Sequence, residues 1–190
     1  MNKQMNFEEI LNEISELPPT LAVSTANAMT GTLAATLGAM IANQTIISKK
    51  VADYENTLEM ALENLLEIKE KLLNYAEKSS LNAEPFEKSE DKDKILKNIV
   101  INSFNIAKLN YNILRNCYEI YKYGDPNLRV EAKRVCYMAW ACLNSALVSV
   151  KSNLEKVNNG EEKENISNDL VEFTNEADSL IEELKEEMRN

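Results

Sequence analysis

The chain contains no histidine. That removes imidazole acid–base catalysis, His-based nucleophilic triads and His-ligated zinc from its chemistry. Glycine and proline number only four each, too few for a fold built on tight turns. No segment shows the strict polar–apolar alternation of a half-buried strand. The three cysteines, Cys117, Cys136 and Cys142, form an odd set without metal-type spacing, and no basic region followed by an apolar one opens the chain, so a reduced, cytoplasmic protein is expected. Basic residues are scarce as well. Lys and Arg total 21 against 31 Asp and Glu, a formal net charge of -10, which disfavours nucleic acid and anionic membrane surfaces as partners.

What remains reads as helix. At 190 residues and 44% hydrophobic content the chain suits one domain, residues 1–190, with its own core. In "NFEEILNEISEL", Phe7, Ile10, Leu11, Ile14 and Leu17 share one helical face, and Pro18 and Pro19 stop it. Further on, Val51, Leu58, Leu65 and Leu72 recur every seven residues, with Tyr54, Ala61, Ile68 and Tyr75 at the second heptad position. Leu62, Leu66 and Leu73 widen this stripe, so a bundle helix is expected rather than a narrow coiled-coil seam. The polar segment "SSLNAEPFEKSEDKDK" separates it from a helix carrying Ile99, Ile106, Ile113 and Ile120. "YGDPNL" then places Asp125 to cap, and Pro126 to begin, a helix running to about Leu154. A last amphipathic helix sets Ile166, Leu170, Phe173, Ala177, Leu180, Leu184 and Met188 on one side. The expected class is all-α, a multihelical bundle.

Residues 17 to 48 carry no charge. The length would suit a membrane span, but the run is rich in Thr, Ser and Asn, poor in large aliphatics, and has no aromatic anchors. A helix uniform around its circumference belongs in the middle of a bundle, enclosed by other helices. Gly31, Ala35 and Ala39, and Ala34, Gly38 and Ala42, form two grooves for close helix approach. The threonines can return their hydroxyls to the carbonyl one turn earlier. A buried central helix is therefore expected.

Read in order, "LPPTLAVSTANAMTGTLAATLGAMIANQTIISKK" resembles the signature of the methenyltetrahydrofolate cyclohydrolase and formiminotetrahydrofolate cyclodeaminase family. Gly31, Leu33, Ala35 and Leu37 match its alanine-rich helix, "MIANQT" a following segment, and Lys49 and Lys50 its basic turn. "YGDPNLRVEAKRVCYMAWACLNSALVSVKSNLEKV" is similar to a second signature through Gly124, Pro126, Asn127, Ala146, Leu147, Val150, Asn153 and Leu154. The chain departs from the pattern where Ala22, Val23 and Ser24 replace a glycine triplet, Thr25 a serine, and Val130 and Glu131 a Ser-Asp pair. Side chains in place of glycines narrow the space for a ligand.

The resemblance implies an all-helical homodimer acting on a tetrahydrofolate derivative without metal or organic cofactor. The reaction would be hydrolysis of a methenyl bridge or elimination of ammonia from a formimino group. Glu131 would be the proton acceptor, or else a solvated first-turn acid. Thr25, Lys49, Lys50, Arg129, Lys133 and Asn153 would hold substrate. The blander alternatives are a helix cap for Thr25, a surface turn for Lys49 and Lys50, ion pairing for Arg129 and Lys133, and a helix-to-helix bond for Asn153. A homodimer that keeps the frame without the chemistry is the competing expectation.

Overall fold

The structure, a computed structural model, describes residues 7–17, 19–48, 52–81, 92–157 and 161–186. Six α-helices follow one another there, with no strand among the described residues: α1 (Phe7–Glu16), α2 (Pro19–Ser48), α3 (Glu55–Leu81), α4 (Lys92–Tyr123), α5 (Arg129–Leu154) and α6 (Glu161–Glu186). Short 3-10 turns at Ala52–Tyr54 and Pro126–Leu128 lead into α3 and α5. No described helix is long and apolar enough to cross a membrane.

Helices α2 to α5 form a four-helix bundle in which α2 lies against α3 and α5, and α4 completes the ring. The heptad positions read from sequence carry its core. Leu58, Leu65 and Leu72 of α3 are fully buried and Ile106, Ile113 and Ile120 of α4 nearly so, each worth roughly 1.5–3 kcal/mol in apolar burial. Ile99 is half-buried.

A second stripe on α4 brings it across the bundle diagonal onto α2. Four residues after each isoleucine stand Ser103, Asn110, Cys117 and Gly124. A Cβ placed on Gly31 would come within 2.6 Å of Asn110 Oδ1, and one on Gly38 within 2.7 Å of Cys117 Sγ. Thr45 Oγ1 accepts from the Asp125 N–H at 3.5 Å. A Cβ on Gly124, just past the end of α4, would lie 3.4 Å from Thr45 Oγ1; the pairs Gly31–Asn110, Gly38–Cys117 and Thr45–Gly124 thus advance seven residues at a time on both sides, so α2 and α4 run parallel with small residues at the crossing. One heptad earlier the same register sets Ser24 level with Ser103.

Helix α6 lies on α4 and α5. It buries Ile166, Leu170, Phe173, Ala177, Ile181 and Leu184, with Phe173 stacked on Tyr111 at 4.8 Å. Leu180 is half-buried and Ile181 takes the inner position; Met188 lies outside the described residues. Polar clasps fix the helix: Tyr118 donates to Glu183, and Trp140 Nε1 to Asp178 Oδ1 at 3.2 Å.

Helix α2 is central, with Ala28, Ala34, Ala35, Ile41 and Ala42 almost wholly buried. Thr32 and Thr36 return their hydroxyls to Ala28 and Thr32 carbonyls at 2.8 and 2.7 Å. It is not enclosed on every side, however. Val23, Leu33, Leu37, Met40 and Ile47 are 42%, 53%, 39%, 41% and 69% exposed. Its own chain supplies neighbours for one face only. Leu66 and Leu73, expected to widen the core stripe of α3, are also exposed.

Candidate functional site

The turn between α4 and α5 is held by its own polar groups. Gly124 N–H donates to the Ile120 carbonyl at 2.8 Å and closes α4. A Cβ on Gly124 would meet that carbonyl oxygen at 2.3 Å, so no other residue fits without moving backbone. Asp125, buried, accepts from the Asn127 backbone N–H at 3.0 Å and from Asn127 Nδ2 at 2.9 Å. This caps the 3-10 turn, with Pro126 at its first position. The predicted cap is therefore present, one short turn ahead of α5. Because Asp125 N–H also meets Thr45, the turn is fastened to the carboxy-terminal end of α2.

From this turn α5 presents three of the expected site residues. Glu131 stands in its first turn, where the exposed helix N–H groups favour a carboxylate. Its side chain is 44% exposed and lies 3.9 Å from Arg134 Nη1. Arg129 and Lys133 point elsewhere, since residues two apart do not share a helix face. Arg129 lies 5.5 Å and the Lys133 ammonium 6.0 Å from the Tyr121 ring centre. Lys133 also donates to the Leu184 carbonyl in the last turn of α6, satisfying one of that helix's terminal acceptors. Lys133 is thus tied to the α6 terminus and Arg129 to α4.

The other expected residues lie at the far end. Asn153 is 22 residues after Glu131 on the same helix, which separates them by about 33 Å. Its Nδ2 donates to the Ser149 carbonyl at 2.8 Å, within α5. Thr25 is a turn and a half inside α2, not at its cap, because the helix begins at Pro19. The Thr25 hydroxyl is buried and has no hydrogen-bond partner, as are the Ser103 hydroxyl and Asn110 Oδ1. Asn110 is held by its amide, which donates to the Ile106 carbonyl at 2.9 Å and leaves the oxygen against Gly31. Lys49 and Lys50 lie outside the described residues.

The structure therefore gathers Thr25 and Asn153 towards one end of the bundle and Arg129, Glu131 and Lys133 at the other. The buried polar pair Ser103 and Asn110 was missed from sequence. Its signal was there: both sit four residues after a heptad isoleucine, at positions where an aliphatic residue would be the default.

The thiols are closed off. Burial pushes Cys117 well above the ordinary value, with the nearby Cys136 adding to the rise. Burial raises Cys136 to about 12 and Cys142 to about 11. None has the lowered pKa of an activated nucleophile.

The family model described as formiminotransferase-cyclodeaminase matches residues 6–172. The chain belongs to this family. No curated protein matches it in sequence. Among solved structures, a formiminotetrahydrofolate cyclodeaminase from Thermotoga maritima is similar in fold, with a TM-score of 0.85 over 96% of this chain and 95% of that one, at 20% identity. The family frame is thus kept from α1 through α6, including α6 residues beyond the matched segment. Val23, one of the residues expected to depart from the resembled glycine triplet, is exposed on α2.

Proposed function

We propose that this protein acts on a tetrahydrofolate one-carbon derivative, opening a methenyl bridge with water or releasing ammonia from a formimino group, and that it does so as a homodimer. The family match across residues 6–172 carries the reading. In bridge opening, water adds to the amidinium carbon and must give up a proton. Glu131 is suited to take it, being a partly exposed carboxylate in the field of a helix N-terminus. Arg129, Lys49 and Lys50 supply positive charge for the carboxylates of the folate tail, with Lys133 beside Arg129 on Tyr121. Thr25 and Asn153 stand at the opposite end of the same chain, so their hydrogen bonds to the ring system would come from the second protomer of the homodimer. No metal or organic cofactor enters the scheme.

Turnover is read from loss of the methenyl chromophore. Wild-type activity that falls at least ~100-fold in Glu131→Gln, with the fold unchanged by circular dichroism, supports a general base. Equal activity in the two proteins removes Glu131 from the chemistry.

A second reading is a binding or structural homodimer of the same fold, without catalysis. It is favoured by the side chains of Ala22, Val23 and Ser24 in place of the glycine triplet and by the sealed Thr25 hydroxyl. A thermal shift with folates but no turnover would select binding; no shift and no turnover would remove folate altogether.

A further inference from the structure

The last turn of α6 stands where an anion would be drawn. Lys133, half-buried, donates to the Leu184 carbonyl, one of the four acceptors that the end of a helix leaves without a partner inside it. That end is the negative pole of the α6 dipole. It also carries Glu183, whose carboxylate accepts from Tyr118. Opposite it is a pair of cations. Arg129, exposed, and Lys133, one turn later on the same face of α5, both lie over the Tyr121 ring, and the Tyr118 ring is 6.2 Å from that ring. Lys133 thus gives its charge to a neutral oxygen of its own chain, beside an arginine that faces water.

We propose that Lys133 is exchangeable between two acceptors: a ligand carboxylate bound at Arg129 takes it from the Leu184 carbonyl, and the last turn of α6 loosens as it does. A carboxylate is the better acceptor, because it adds the attraction of a full negative charge to the hydrogen bond. The lysine stem is flexible, so the ammonium can change partner while α5 stays in place. What then holds the turn is limited to the buried Ile181 and Leu184 side chains, the Tyr118 bond to Glu183 and Lys185, 5.7 Å from the Trp140 ring centre.

The exchange makes α6 a brake on ligand binding. Glu183 repels an incoming carboxylate until the turn that carries it draws back, and the α6 terminus loses a cation from its negative pole when the ligand binds. The two effects are one coupling: whatever the ligand takes from α6 docking, docked α6 takes from the ligand's affinity. That the carboxylate belongs to a folate tail rests on the folate reading; the exchange itself needs only a small dicarboxylate.

Amide hydrogen exchange over residues 180–186 of the full chain tests this, with folate and, separately, with glutarate, a dicarboxylate that has no ring system. Each should speed exchange in that segment by about 5-fold or more. In Lys133→Met the segment should exchange fast without ligand and respond to neither compound. Leu184→Ala keeps the backbone carbonyl and every charge but shortens a fully buried side chain. It should bind glutarate about 5-fold more tightly than the wild type, a gain that a merely structural role for Leu184 would not give. A response to glutarate but none to folate supports the exchange and overturns the folate reading alone. Folate turnover with unchanged exchange in α6 and unchanged affinity in Leu184→Ala overturns the exchange and leaves the folate reading standing. Slower exchange on binding, or no response to either compound, overturns it too.

Discussion

Gly38→Ala sets packing against helix propensity. In a helix interior the change should stabilise by about 1 kcal/mol, since alanine loses less backbone freedom. Here the added Cβ would stand 2.7 Å from Cys117 Sγ and 3.1 Å from Leu65 Cδ1. The leucine end can give way, but the sulfur sits on a short side chain in the α2–α4 crossing. Overpacking of this kind costs roughly 1–3 kcal/mol, so the net expectation is about 0–2 kcal/mol of destabilisation. In a Cys117→Ala background the sulfur is gone, and Gly38→Ala should become neutral or stabilising by up to about 1 kcal/mol. The cavity cost of Cys117→Ala appears on both sides of the cycle and cancels. Urea denaturation of the four proteins at one fixed concentration then gives a coupling of about 1–3 kcal/mol, each kcal/mol also moving Tm by roughly 2–4 °C. Additivity within about 0.5 kcal/mol would refute the crossing and the register drawn from it.

Asp125→Ala removes the acceptor of two Asn127 bonds and should cost about 1 kcal/mol in urea denaturation; no loss would mean that Pro126 alone sets the turn. Thr25→Val removes a buried hydroxyl without a partner and should leave the apoprotein equally or more stable, by up to about 1 kcal/mol, whereas a clear loss of stability would reveal a bond to that oxygen. The same variant should lose folate-induced thermal stabilisation if the hydroxyl serves the ligand. Alkaline pH should weaken the fold through the thiols. Unfolded Cys136 ionises near its ordinary value of 9.0 while the folded thiol holds its proton to about 12. The unfolded state thus binds fewer protons between those values, and stability falls as pH rises through them, by up to about 1.4 kcal/mol per pH unit per thiol. Cys136→Ala should flatten the decline in the urea midpoint above pH 9, and an unchanged slope would exclude this thiol as its cause.

The bundle was legible because its determinants are local. Leu58, Leu65 and Leu72 on α3 and Ile106, Ile113 and Ile120 on α4 announce their buried faces by spacing alone, and all are buried. Asp125 and Pro126 announce the turn by residue type. The site was less legible because nearness along a motif is not nearness in space. Glu131 and Asn153 belong to one stretch resembling a single family signature, yet a continuous α5 holds them at its two ends. Thr25 suggested a cap by residue type, but Pro19 fits the first turn and starts α2 earlier. Lys133 carries a charge that suits an anionic ligand, and only tertiary structure brings it to the Leu184 carbonyl.

The open face of α2 has a more general cause. Burial is written into a sequence as the absence of charge, and that absence is the same whether the covering helix belongs to this chain or to another. Around α2, Ala34, Ala35 and Ala42 are covered by α3, α4 and α5, while Leu33, Leu37 and Met40 are uncovered; both groups are apolar. Their sizes differ. Where α3 and α4 press close, the helix carries alanine and glycine, with Gly31 and Gly38 admitting Asn110, Cys117 and two leucines of α3. On the open side it carries leucine, methionine and isoleucine, the larger side chains that a pairing at ordinary interhelical distance, 8–10 Å, would need to fill its interface. Leu37→Asp places a charge near the centre of that face, where a dimer buries it and a monomer leaves it in water. The variant should sediment as a folded monomer with its circular dichroism intact. Unfolding would put Leu37 in the bundle core, and an unchanged dimer would place the interface on some other face.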